Sequence, residues 1–272
     1  MDYFNLALTT LFDMLLYPFR RVHPMGGLTV ISVLTGIGMV WLFGKVSNQK
    51  KIHRVKTRIK AHLLEMWIFR DNLKVVFRAQ GRTLLNTGRY ALCSLRALAV
   101  IIIPVVLIMI QLQARYGYEP LKPGQSTIVR IRYKDAVTLT AMDATLEASP
   151  AVVVETPALR IPETGELCYR ASVIEPGVHK LTVASADMHV EKTICAGEGG
   201  RTMSSMRPGK WLDRLFHPIE PAMPAGLLES IEVGYDSRRI SWLGMDFHWI
   251  WAFFILSIVA GFSLKRAFGV EV

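Results

Sequence analysis

The stretch VSNQKKIHRVKTRIKAHLLEMW, residues 46–67, decides how this chain is read. It follows directly on an apolar run, is dense in Lys and Arg, and still keeps an apolar beat. Ile52, Val55, Ile59, Met66, Phe69, Leu73 and Val76 fall on an alternating three-and-four spacing, with His62 filling the one gap. That spacing predicts a coiled-coil-like seam on a helix otherwise covered by charge. FRDN at 69–72 offers a turn, with Asp71 or Asn72 as the N-cap of a second helix carrying Leu73, Val76, Phe77, Leu84 and Leu85. Two helices of about 20 residues, each about 30 Å long, form an antiparallel hairpin that brings the chain back to the surface it left. One long bent helix would not do so.

The charge is as local as the pattern. Residues 45–96 hold thirteen Lys and Arg against two acids, a net +11, whereas the whole 272-residue chain is +10. The rest is therefore close to neutral. Lys50, Lys51, Arg54, Lys56, Arg58, Lys60, Arg70, Lys74, Arg78, Arg82 and Arg89 make up most of the excess. Such a segment sets membrane topology, meets anionic headgroups at about 1 kcal/mol per cation, or attracts nucleic-acid phosphates.

A mean hydropathy of +0.30 is high for a soluble domain, and the excess sits in three segments. Residues 28–43 carry no charge, residues 92–112 carry Arg96 alone, and residues 247–264 carry His248 at their start. Each approaches the roughly 17–25 residues that cross a hydrocarbon core. Trp242, Phe247, Trp249 and Trp251 crowd the start of the third, as a membrane–water interface prefers. The basic linker and the Lys265–Arg266 tail put both on the cytoplasmic side, leaving the N-terminus and residues 113–246 outside; Arg20 and Arg21 are outvoted. The expected location is a bacterial inner (plasma) membrane.

The N-terminus lacks a basic start, and Asp13 interrupts its apolar run, unlike a secretory signal. Phe4, Leu8, Leu11, Phe12, Leu15 and Phe19 follow helical spacing, which predicts a helix over 2–19 in the outer interface, turned by HPMGG into the first span. A poor signal peptide or a short fourth span is the other reading.

Beyond residue 116 the pattern changes. After the extended YEPLKPGQ, alternation runs through STIVRIRY, AVTLTA, AVVVET, ELCYRASV, GVHKLTVA, MHVEKTIC and SIEVGY. IEPGVHK and ASADMH read as hairpin turns. Short strands at this spacing predict an Ig-like β-sandwich. KWLDRLF reads as a short amphipathic helix, packed on the sandwich or lying on the outer leaflet. Over residues 117–240 there are fourteen bases and sixteen acids, so this part is no nucleic-acid binder. Cys168 and Cys195 lie in an oxidising location, which leaves a disulfide and two separate strand thiols equally open. Scattered histidines and the lack of a phosphate loop or ligand cluster give no cofactor, no metal and no enzyme.

The expected fold class is membrane α with an extracytoplasmic all-β part. Residues 1–27 are the interfacial helix and turn, 28–44 the first transmembrane helix, 45–91 the basic cytoplasmic hairpin and 92–113 the second transmembrane helix. Residues 114–240 are the β-sandwich, 241–265 the third transmembrane helix with its interfacial start, and 266–272 a cytoplasmic tail.

An outer interfacial helix, a span, a basic cytoplasmic hairpin and a second span is an order that resembles the YidC/Oxa membrane-insertase superfamily. The three-span plan is most similar to its short branch, which includes the insertase subunit of the ER membrane complex and archaeal relatives. The resemblance covers residues 1–113 and, more loosely, the third span. It implies a polar groove at membrane depth that passes hydrophobic segments into the bilayer. Arg96, Ser32, Thr35, Ser94, Gln111 and Ser257 are the candidate groove residues. The bacterial branch carries its groove arginine in the span before the hairpin, where this chain has none. Pro104 is expected to kink the second span, and Gly36 and Gly38 to allow close helix packing. The implied partners are the lipid bilayer and, at the hairpin, ribosomes or nascent membrane proteins; nothing points to DNA. The alternative is a membrane-anchored scaffold or sensor that binds an envelope protein through its outer domain.

Overall fold

The structure is a computed structural model describing residues 2–19, 24–134, 144–185, 188–197, 202–242 and 245–270. They divide into two compact units, Met1–Gly27 with Ile108–Trp249, and Leu28–Leu107 with Ile250–Val272.

The second unit is helical. Helix α1 (Asp2–Leu16) and a single 3₁₀ turn (Tyr17–Phe19) precede it, and α2 (Pro24–Val46) leads into it with proline at its first position, where no N–H is needed. Ser47 and Asn48 separate α2 from α3 (Gln49–Ile68), and the Asn48 side chain accepts the Lys51 N–H at 3.1 Å, capping the new helix. After Phe69–Asn72 comes α4 (Leu73–Tyr116), whose first turn is capped by the Asn72 side chain. Of the two expected N-caps it is thus Asn72 that serves. The second arm of the hairpin and the following apolar run are one helix of 44 residues, continuing through Pro104.

Among the described residues two helices are long and apolar enough to cross a membrane, Met25–Val46 and α4. The third apolar segment is shorter than the sequence predicts. Phe247 and His248 belong to a strand, leaving 16 residues of helix from Trp249 to Leu264, about 24 Å. Within this unit Gly36 meets the Ser257 carbonyl, and a Cβ on Gly261 would press on Val40 at 3.1 Å, so two helical segments meet through glycine. Gly38 takes no part: a Cβ there would meet nothing. Leu34, Ile103 and Ile258 point outward while Ser32, Thr35 and Ser257 are buried, the reverse of a water-soluble helix cluster.

Among its described residues the first unit carries eleven antiparallel strands. β1 (Ser126–Tyr133) lies inside a six-stranded sheet with β3 (Val152–Val154), β4 (Leu159–Ile161), β5 (Glu166–Val173), β8 (Met206–Arg207) and β9 (Leu228–Val233). β2 (Ala144–Ala148), β6 (Gly177–Ser185) and β7 (Met188–Ala196) form a second sheet, and β10 (Arg239–Trp242) pairs with β11 (Met245–His248). Between β8 and β9 lies α5 (Trp211–Phe216), and the helix Trp249–Leu264 is α6. Alternation does what the sequence requires of it. Val129, Ile131, Leu167, Ala171, Val173, Leu181, Val183, Ile194, Ile231 and Val233 turn into one apolar core drawn from both larger sheets. On the opposite face of β1, Arg130 and Arg132 pair with Glu232 and Glu166 across neighbouring strands at 3.2 and 2.6 Å.

IEPGVHK is not a hairpin turn. It joins β5 to β6, which belong to different sheets, so it carries the chain from one side of the core to the other. A turn signal shows where the chain reverses; which strand it then pairs with depends on where Leu181 and Val183 find cover. β6 and β7 do form a hairpin, with residues 186–187 of its turn outside the described set. The AVTLTA segment also lies outside the described residues, and β2, unmarked in the sequence pattern, pairs with β6. At KPGQ, the Gln125 N–H donates to the Lys122 carbonyl at 2.8 Å with Gly124 at φ +84°, a turn that needs glycine at its third position. Cys168 on β5 and Cys195 on β7 sit in different sheets and are not joined, so the disulfide reading is set aside in favour of separate thiols.

Candidate functional site

Basic side chains from both arms of the hairpin converge on one cleft of about 410 Å³, lined by Lys51, Arg54, Val55, Arg58, Arg89, Leu92 and Arg96. Residues 51–58 come from the start of α3 and 89–96 from the middle of α4, so the arms run antiparallel. The seam reaches the interior only in part: Ile52 and Val55 are buried on α3, and Ala79 and Asn86 on α4. Lys56 is half-buried with its Nζ 5.6 Å from the Tyr90 ring centre, a cation–π contact that ties the arms beside the cleft. Lys50, Lys51, Arg54, Arg58, Lys60, Arg70, Lys74, Arg78, Arg82 and Arg89 are exposed. Five cations and no carboxylate line the cleft, a concave surface that concentrates anions.

Toward the turn the hairpin is apolar and uncovered. Trp67 is 75% exposed, and Ile68, Phe69, Leu73 and Phe77 are exposed beside it, interleaved with Arg70, Lys74 and Arg78. The seam predicted to run the length of the hairpin is therefore packed near the cleft and open at the tip.

The groove residues do not all come together. Arg96 is exposed and belongs to the cleft. Ser32 is fully buried and donates to the Leu28 carbonyl at 2.7 Å on its own helix, and Thr35 is buried one turn on. Ser257 is buried with its carbonyl against Gly36. The Ser94 and Ser257 hydroxyls are sheltered without a hydrogen-bond partner among the described residues. Gln111 lies in the other unit. It is fully buried, and its amide oxygen accepts from Arg115 at 2.8 Å. Arg115 also donates to the Thr9 carbonyl at 3.1 Å and to Asp13 at 2.8 Å.

Two ion pairs with a buried cation have no motif in the sequence. Arg115 with Asp13 is one. The other is Lys192 with Glu220, whose side chains are 0% and 6% exposed and 2.7 Å apart. Lys192 also donates to the Ser204 carbonyl at 2.7 Å, and Glu220 accepts from the Thr193 backbone and hydroxyl. Burial pushes Lys192 down from its ordinary lysine value against the pull of Glu220. Nearby, burial lowers His217 and raises the Tyr235 phenol, which accepts the Cys195 N–H at 2.9 Å. The signal for Lys192 was present: in MHVEKTIC it shares parity with Val190 and Ile194, both core residues. The pair pins the irregular segment after β7 onto that strand, a structural task. Among the described residues no cluster of His, Cys, Asp and Glu could hold a metal ion.

No protein-family model matches the chain, and no curated protein matches it.

Proposed function

We propose that this is an integral membrane protein of insertase type, similar to the YidC/Oxa superfamily, that receives hydrophobic segments at its basic hairpin and assists their entry into the bilayer. The reading has three spans, α2, the apolar part of α4, and α6, with the hairpin cytoplasmic, the N-terminus outside, and an Ig-like sandwich on the outer face of a bacterial inner membrane. The observation that carries it is the five-cation cleft beside an uncovered apolar hairpin tip. Cations hold ribosomal RNA phosphate or the acidic flank of a client, and Trp67, Phe69, Leu73 and Phe77 offer apolar contact to its hydrophobic core. The second arm is continuous with the apolar helix, so what binds the hairpin is delivered to the start of a span. Buried Ser32, Thr35 and Ser257 supply mild polarity among the helices.

The test is photo-crosslinking from positions 56, 67 and 96 in membranes carrying stalled ribosomes with a short hydrophobic nascent chain. The expected result is nascent-chain adducts at all three, several-fold weaker in R54Q/R58Q/R89Q, with R96Q added for positions 56 and 67. Adducts to lipid or to one fixed envelope protein alone would sink the proposal.

The scaffold reading draws on one observation, a cleft of about 380 Å³ on the outer sheet beside exposed Ile128 and bounded by Arg130, Glu232 and Asp236. In that reading the envelope protein crosslinks at position 128, and the hairpin only sets topology.

A further inference from the structure

Helix α1 turns polar side chains toward the protein beside its buried Phe12 and Leu16. Asn5, Thr9 and Asp13, one turn apart, face the protein. The Asn5 amide donates to the Arg214 carbonyl at 3.2 Å, the Thr9 carbonyl accepts from Arg115, and Asp13 pairs with the same guanidinium. The other face carries Tyr3, Leu6 and Met14, exposed by 89, 64 and 75%, and Tyr17 in the 3₁₀ turn that follows is 71% exposed. A helix bordering water does the reverse, and here three polar anchors hold the apolar face outward.

The Asn5 bond ends on α5, and α5 repeats the pattern. Trp211, Leu212 and Phe216 are exposed, while Asp213 and Arg214 are half-buried. Its neighbour Lys210 is tied to Glu229, and Gly209 is pressed against the Glu229 carbonyl, so the helix is fixed to β9 just upstream. Trp, Tyr and Phe are the side chains that settle at headgroup depth. The same unit contains Met25–Gly27 and Ile108–Tyr116, the ends of the two helices long enough to span. A bilayer surface meets the chain where those helices end.

We propose that α1 and α5 together form a lipid-contacting footing by which the outer unit is seated on the bilayer surface, with Trp211 and Phe216 as its anchors. This rests on the membrane reading of α2 and α4 and is independent of the insertase reading. The footing orients the outer strands relative to the membrane, which a flexible tether would not.

The experiment uses the full chain in phospholipid nanodiscs, with benzoylphenylalanine at position 212 or 216, at 34 in α2, and at 174 on the exposed edge beyond β5. The expected result is lipid adducts at 212 and 216 comparable to those at 34, with several-fold fewer at 174. Trp211→Phe should remove a distinct share of the tryptophan emission that brominated lipids quench, a readout that needs no photolabel. Lipid adducts at 34 but not at 212 or 216 would overturn the footing and leave the membrane reading intact. Adducts at 212 to a second copy of the chain would make it a protein interface instead. Absence of lipid at 34 would remove the membrane reading and the footing with it.

Discussion

The hairpin and the strand-bearing unit use the same cationic side chains to opposite ends. In the hairpin, Arg54, Arg58, Arg89 and Arg96 stand exposed around one cleft, and the nearest carboxylate pairings are light ones such as Arg70 with Asp71 at 4.0 Å, both largely in water. In the strand-bearing unit Lys192 and Arg115 are buried, each 2.7–2.8 Å from a carboxylate and each also donating to backbone carbonyls. A cation left in water keeps its attraction for a ligand. A cation buried with its partner has spent that attraction on the fold, and its removal is felt as stability. Charge count alone would rank the hairpin as the electrostatic centre of the molecule; burial shows that the ion pairs holding the fold lie elsewhere, at Lys192 and Arg115.

The largest effect should follow from breaking the buried pair. Lys192→Met leaves Glu220 charged and enclosed, and should destabilise the strand-bearing unit by about 3–5 kcal/mol in chemical denaturation of the detergent-solubilised chain. K192M/E220Q should recover part of the loss, since Gln still offers Thr193 an acceptor. A loss below about 1 kcal/mol for the single variant would put Lys192 in the same class as the hairpin cations and erase the contrast.

A smaller effect comes from His217. Burial holds its folded pKa below the ordinary value near 6.5, outweighing Asp213. As pH falls through that value the unfolded chain takes up a proton before the folded one does, so stability declines below about pH 6.5. His217→Gln should flatten the slope of stability between pH 7 and 5. Glu166, held below the usual carboxylate range first by its hydrogen bond from Arg132, contributes stability present above about pH 4.5 and lost as pH falls further, so the two are separable. An unchanged slope between pH 7 and 5 in the variant would count against a buried neutral His217.

The strands show how much could be read in advance and what could not. ELCYRASV coincides with β5 to the residue, because alternation in a half-buried strand is a local property. The β5–β6 connection is not legible in the same way, since a Pro–Gly turn looks the same whether the next strand pairs back or crosses the core. The basic hairpin was legible from spacing and charge, but the opening of its seam at Trp67 and Phe69 was not, because periodicity gives a face without its cover. Among the candidate groove residues, Arg96 is legible as the one charge in an apolar run; its long side chain lines the cleft with the cations of α3 and α4. Gln111 was chosen for polarity at depth, yet its partner Arg115 lay just past the window that marked the span.

The smallest effect on stability should be the most informative about function. R54Q/R58Q/R89Q/R96Q removes four exposed cations that surround a cleft without a carboxylate. Exposed charges far from a buried partner usually alter stability by no more than about 0.5 kcal/mol each, and relief of like-charge crowding works in the favourable direction. The thermal midpoint should therefore stay where it was or rise slightly. Binding to ribosomes should weaken strongly and lose most of its salt dependence, because each phosphate contact contributes roughly one unit to the slope against log salt. A variant that unfolds instead would mean that these cations are structural like Lys192. One that stays folded and binds ribosomes unchanged would leave them no role beyond setting which side of the membrane the hairpin occupies.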